Sequence, residues 1–174
     1  MLDHRRLLAA LALAFAACAR TDVGAPCNHG PGQIPQEPVI TFPALACDQL
    51  LCVFAESIAP PEDPCETKLD CGTDERFACV EGRCELVGQY VLERSMCSAN
   101  CGSDSDCEAA DDTACSSGFA CTPLMSLGEQ CCEKVCVCRD ELDVGSLAEL
   151  EQQCEAGTAA GCCDRDPRPD ACGP

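Results

Sequence analysis

Apolar residues come in short runs along this chain, broken by turn formers and cysteines. The longest run is at residues 7–17, Leu-Leu-Ala-Ala-Leu-Ala-Leu-Ala-Phe-Ala-Ala, directly after Arg5 and Arg6. At 1.5 Å per residue it makes a helix of roughly 16 Å, about half the hydrocarbon thickness of a bilayer. A basic start, an apolar middle and a small-residue end form the layout of a secretory signal peptide, so residues 1–17 are expected to be removed. Within the rest of the chain the most apolar stretch is 44–54, expected to pack beneath the first cysteine-rich unit. Val80-Glu81-Gly82-Arg83 reads as a two-residue hairpin turn in which Gly82 takes positive φ. Ser146-Leu147-Ala148-Glu149 reads as a capping box, with Leu147, Leu150 and Cys154 on one face and Gly157 as a stop. That pattern predicts a helix over 147–156. Residues 85–96 read as a linker with a short strand at 89–93.

Cysteine changes the picture more than any periodicity. The chain has 21 cysteines, so 20 remain if Cys18 carries another group, enough for ten bridges. Twenty in the 157 residues after Ala17 is about 13%, above the ~8–10% that marks a disulfide scaffold. Metal thiolates are the competing chemistry, but the chain has no C-x-x-C, and its single C-x-C is Cys136-Val137-Cys138. Leu, Ile, Val and Phe supply only 27 of those 157 residues, and nine basic residues stand against 29 acidic ones, a net charge of −20. Such a composition without cross-links is expected to be disordered. Bridges worth ~2–4 kcal/mol each would offset the thin core and the self-repulsion. The vicinal pairs Cys131-Cys132 and Cys162-Cys163 have Cα atoms 3.8 Å apart, too close for ordinary bridging, so each member is expected to bond elsewhere.

Two units share a spacing. Cys65, Cys71, Cys79 and Cys84 run C-x5-C-x7-C-x4-C, and Cys101, Cys107, Cys115 and Cys121 run C-x5-C-x7-C-x5-C. Asp70 and Asp106 precede the second cysteine of each. Phe-Ala-Cys also occurs in both, at Cys79 and Cys121, which are different ordinal positions. Cysteine spacing is therefore taken as the guide to the duplication. First-to-third and second-to-fourth pairing is preferred within each unit, although four cysteines allow three connectivities. Cys27, Cys47, Cys52, Cys97, Cys131, Cys132, Cys136, Cys138, Cys154, Cys162, Cys163 and Cys172 complete the expected oxidised set. Residues 21–38 are rich in proline and read as an extended tether. The resulting organisation is a signal at 1–17, lipid attachment and tether at 18–43, a first cysteine-rich unit at 44–96, and a second at 97–174 with a C-terminal helix and an irregular tail. The fold class expected is small and disulfide-rich: short β-hairpins and loops, one short helix at 147–156, and little regular structure.

Candidate chemistry is sparse. His4 falls in the signal, and His29, in Cys-Asn-His-Gly-Pro-Gly, reads as an exposed, inert loop histidine. No G-x-S-x-G, H-E-x-x-H or Walker-type loop is present. No catalytic residue, cofactor or metal ligand is expected, and the chain is read as a non-enzyme. Acidic loops at 102–106, 111–112 and 164–170 lack the EF-hand pattern, leaving solvated turns as the simpler reading and calcium or metal storage as an alternative. The negative charge argues against nucleic acid.

Two resemblances add to this. Phe15-Ala16-Ala17-Cys18 resembles the lipobox of bacterial lipoproteins, with Phe15 where leucine is usual. The resemblance implies that Cys18 is lipidated and that the signal is cut just before it. With Ala19 next, it implies an outer-membrane destination in a double-membraned cell. Ordinary cleavage, as at Ala17-Cys18-Ala19 after Ala19, is the alternative and would free the chain for secretion. Residues 97–138, with Cys-Gly-Ser-Asp-Ser-Asp-Cys and Cys-Cys-Glu-Lys-Val-Cys-Val-Cys, resemble the N-terminal cysteine-rich domain of Dickkopf-type secreted proteins, which implies a protein-binding module without enzymatic activity. The reading is therefore a lipid-anchored cell-envelope module that binds an unknown protein or glycan, or is structural. A secreted protease inhibitor or toxin-like effector, presenting loop 122–128, is the rival.

Overall fold

The structure is a computed structural model that describes residues 22–32, 34–111, 113–164 and 170. The expected signal, Cys18 and Cys172 lie outside the described residues. Leu51-Cys52-Val53-Phe54 is an apolar run too short for a helix, and it forms β2 (Leu51–Phe54), buried on both faces. It pairs antiparallel with β1 (Val39–Thr41) on one side and with β5 (Met96–Ser98) on the other, giving sheet A in the order β1-β2-β5. β3 (Phe77–Val80) and β4 (Arg83–Leu86) make sheet B; β6 (Phe119–Pro123) and β7 (Lys134–Cys138) make sheet C. Three α-helices accompany them: α1 (Gly88–Arg94), α2 (Val144–Glu155) and α3 (Ala160–Cys163).

Sheet A is the hub. One face carries Leu51, Val53 and Ala55 onto Leu124, Val135 and Val137 of the second unit. The other face sends Phe54 into the first unit, among Cys65, Cys71, Phe77, Leu86 and Val91. Residues 44–54 thus pack between both units rather than beneath the first alone. Residues from 22 onward, expected as a tether, are part of this body. Val23 is buried against Phe119, Pro26 bridges to Met96, and Cys27 is bonded to Cys52. Phe54 is fully buried, so Phe54→Ala should cost ~3–5 kcal/mol in urea denaturation. Leu127→Ala, at a residue 64% exposed, should stay within about 0.5 kcal/mol.

The expected fold class is overturned: the described residues form three helices and three sheets, not mainly hairpins and loops around one helix. Sheet A is invisible to local reading because its strands come from separate segments. α1 occupies the place of the expected strand at 89–93. Its buried face is Val91, Gln89 donates to Glu93 one turn on at 2.7 Å, and Tyr90 and Arg94 both reach Glu56. α2 begins three residues before the expected start because Asp143 is the N-cap, accepting from the Gly145 amide at 3.1 Å. Ser146 then falls in the first turn and donates to the Asp143 carbonyl. The turn at Glu81 and Gly82 has positive φ at both residues (49° and 83°), the hairpin geometry that follows strand twist.

Two units of like geometry are present, but in a different alignment from the one spacing implied. Cys65 bonds Cys79 and Cys71 bonds Cys84, first to third and second to fourth. In the second unit Cys101 bonds Cys121 and Cys107 bonds Cys136, so the expected order fails there. Cys79 faces Cys84 across sheet B, and Cys121 faces Cys136 across sheet C. Cys121 is therefore the counterpart of Cys79 and Cys136 that of Cys84. Cys115 is an addition, bonded to Cys138. Phe77-Ala78-Cys79 and Phe119-Ala120-Cys121 occupy the same strand positions, so the tripeptide was the true marker. The conserved geometry extends to the C-x5-C loops. Asp70 accepts from the amides of Glu66 and Thr67 and from the Thr67 hydroxyl, and Asp106 accepts from the amides of Gly102 and Ser103 and from the Ser103 hydroxyl. Each aspartate closes a turn of 3-10 helix, at Lys68–Cys71 and Asp104–Asp106.

Candidate binding groove

Sulfur chemistry is spent on structure. Besides the bridges named above, Cys47 bonds Cys97, Cys131 bonds Cys162, and Cys132 bonds Cys154. Cys163 is also disulfide-bonded, so all nineteen described cysteines are oxidised. Each described member of the two vicinal pairs bonds elsewhere, which ties the segment just before β7 to α2 and α3. Sulfurs do crowd within 4.8 Å, as at Cys27, Cys47 and Cys97, but they belong to bridges and are not thiolates that could hold a metal. The acidic loop at 102–106 is exposed, but its carboxylates are already taken up by hydrogen bonds. Asp106 accepts three hydrogen bonds, and Asp104 accepts from the Cys121 amide and pairs with Arg139. These donors hold both carboxyls below the usual carboxylate range.

His29 is half-buried, against the expectation of an exposed loop residue. Its Nδ1 lies 2.7 Å from Thr41 Oγ1 and its Nε2 lies 2.9 Å from Ser95 Oγ. Ser95 donates its own proton to the Val91 carbonyl at 2.6 Å. Ser95 Oγ must then accept from Nε2–H, which leaves Nδ1 to accept from Thr41. The order hydroxyl, imidazole, hydroxyl matches the wiring of a nucleophile, its base and an orienting group. The orienting group here is a neutral hydroxyl with no charge to stabilise an imidazolium, and burial pushes the His29 pKa down. The network instead clamps β1 and the end of α1 to the turn at 28–30.

A second buried group lies away from the groove. Glu141, 6% exposed, has an Oε1 with no hydrogen-bond partner. Desolvation first, and then the negative charge of Glu56, push its pKa up to about 8, with Arg94 opposing. Glu56 is itself held by the Tyr90 hydroxyl and by Arg94 at 3.5 Å.

The open feature of the surface surrounds β1. A hollow of about 1130 Å³ lies between residues 29–32 and 34–41 on one side and the outward side of sheet B on the other, with Val39 and Thr41 on its wall. Ile40 and Phe42 line a smaller hollow of about 220 Å³ with Leu127 and Glu129. Met125 lines both. Four of the eight exposed large apolar side chains among the described residues lie here: Ile34 and Val80 at the larger hollow, Phe42 and Leu127 at the smaller. The loop expected at 122–128 is shorter than anticipated. Thr122 and Pro123 belong to β6, Leu124 is buried, and only the stretch from Met125 reaches the surface. Nothing in the sequence flagged β1, because three residues of mixed polarity carry no periodic signal.

No helix among the described residues is long and apolar enough to cross a membrane. No protein-family model matches the chain, and neither a curated protein nor a solved structure matches it.

Proposed function

We propose that this chain is an exported, non-enzymatic binding module of the cell envelope, anchored by lipid on Cys18. The observation that carries the reading is the oxidation of every described cysteine. Bridges at this density form in compartments outside the reducing cytosol. Residues 1–17 have the matching export pattern, and Phe15-Ala16-Ala17-Cys18 supplies the lipid attachment. Two or more acyl chains hold a protein on a membrane stably, whereas one is marginal. At a net charge of −20 the mature chain gains nothing from anionic lipid, so the acyl group carries membrane attachment alone. The binding role is supported by the exposed apolar side chains around β1, which a purely structural spacer has no physical reason to keep in water.

Mass spectrometry of the mature N-terminus tests the anchor. The expected product begins at an acylated Cys18, and Cys18→Ala should move the protein from the membrane fraction to the aqueous one. An unmodified chain starting at Arg20, with wild type already aqueous, would establish free secretion instead.

A further inference from the structure

We infer that the outer edge of β1 is a docking site for an extended basic segment of a partner protein, which adds to sheet A as a fourth strand. The inference deepens the binding-module reading and rests on it.

Sheet edges are normally answered by some group. β5 is covered by the Gly24 and Ala25 backbone, which bonds the Cys97 amide and carbonyl. β7 is covered by the chain at 99–101, through Cys136 to Ala99 and Cys101 to Lys134. β4 is capped by the Gln36 side chain, whose amide bonds both the N–H and the carbonyl of Leu86. β6 receives the Asp104 carboxylate at the Cys121 amide. β1 is different. It pairs with β2 on one side, and among the described residues no backbone hydrogen bond reaches its other side.

The surroundings of that edge suit a strand. Side chains of a strand alternate in direction. Val39 and Thr41 face the larger hollow, Ile40 and Phe42 face the smaller. A strand paired to β1 sends its own alternate side chains into the same two hollows, where Ile34 and Val80 wait on one side and Leu127 on the other. Main-chain hydrogen bonds then give affinity and the hollows select side chains, the physics of strand addition.

Charge selects the occupant. Glu37, Glu81 and Glu85 line the larger hollow and Glu129 lines the smaller. Among the described residues Arg83 is the one cation on these walls, and it lies 3.7 Å from Glu85. Glu37, Glu81 and Glu129 have no ion pair among the described residues. A segment alternating apolar and basic residues places Lys or Arg against these carboxylates, and the net charge of the chain steers it in.

A displayed library of random heptapeptides, selected on the disulfide-intact protein, tests this. Enrichment of peptides with alternating apolar and Lys/Arg positions is expected. The best binder should lose at least tenfold in affinity on N-methylation of alternate backbone amides, and at least tenfold against the Glu37→Lys/Glu81→Lys protein. No enrichment, acidic or neutral consensus, or indifference to both changes overturns the inference. A photo-crosslinking residue placed at Phe42 or Leu69 in the producing cell separates this from the broader reading. Adducts at Phe42 support the groove. Adducts at Leu69 without any at Phe42 overturn it and leave a binding module, whereas none at either position, with no selected peptide, removes both.

Discussion

Full reduction and alkylation under otherwise native conditions is expected to abolish the cooperative melt and expand the chain towards unfolded dimensions. The buried clusters are small, and two of them are almost wholly cystine. Cys131, Cys132, Cys154, Cys162 and Cys163 make up most of one, and Cys27, Cys47, Cys52 and Cys97 most of another. Reduced and alkylated, these sites lose the covalent link and must accommodate an added group on every sulfur at the same point. In the chain-entropy picture a loop of 50 residues, as closed by Cys47 and Cys97, is worth about 4 kcal/mol, and one of 13, as closed by Cys71 and Cys84, about 3 kcal/mol. Overlapping loops make these values less than additive. Even so, removing all of them exceeds the 5–15 kcal/mol margin of an ordinary domain. Circular dichroism and size exclusion of the alkylated protein read the result directly. A retained melt within a few degrees of the oxidised protein would show that apolar packing alone suffices.

Stability is expected to fall between pH 4.5 and about 8, and Glu141→Gln should remove much of that fall. The Glu141 carboxyl has its folded pKa raised from 4.5 to about 8. Below pH 4.5 it is protonated in both states and contributes no slope. Between the two values the unfolded chain releases the proton and the folded chain keeps it, so the folded state binds more protons and stability declines with rising pH. Above about 8 the loss is complete. At ~1.4 kcal/mol per pKa unit the effect is bounded at about 5 kcal/mol. Glutamine keeps the shape of the side chain but cannot ionise beside Glu56. The variant should therefore gain on wild type by several kcal/mol at pH 8.5, and little at pH 4. Urea denaturation at the two pH values gives both numbers. Parallel pH profiles for the two proteins would remove Glu141 from the explanation.

Some of this was legible in residue order. The Glu81-Gly82 hairpin turn, the constraint on the vicinal cysteines and a helix near 147–156 all follow from local stereochemistry, which acts within a few residues. The repeat was legible too, but its alignment was not. Counting cysteines matched Cys115 to Cys79, whereas Phe119-Ala120-Cys121 holds the strand position of Phe77-Ala78-Cys79. A strand-and-turn unit tolerates a loop insertion between its strands, here at 124–133, without moving the cross-strand pair. Intervals between cysteines therefore drift while the residues packed on the strand stay. The groove had no local sign at all. Ile34, Phe42, Val80 and Leu127 are isolated apolar residues in polar surroundings, and only the fold gathers them.

Composition alone decided that this acidic, aliphatic-poor chain needs covalent ties, because conformational entropy and charge repulsion exceed what so few large apolar side chains can offset. Tertiary structure decided which sulfurs join, that residues 22–32 and 34–41 enter the body, and that β1, among the described residues, is left with one open edge. Those outcomes depend on which distant segments meet at β2, a matter of packing between surfaces that neighbouring residues along the chain do not encode.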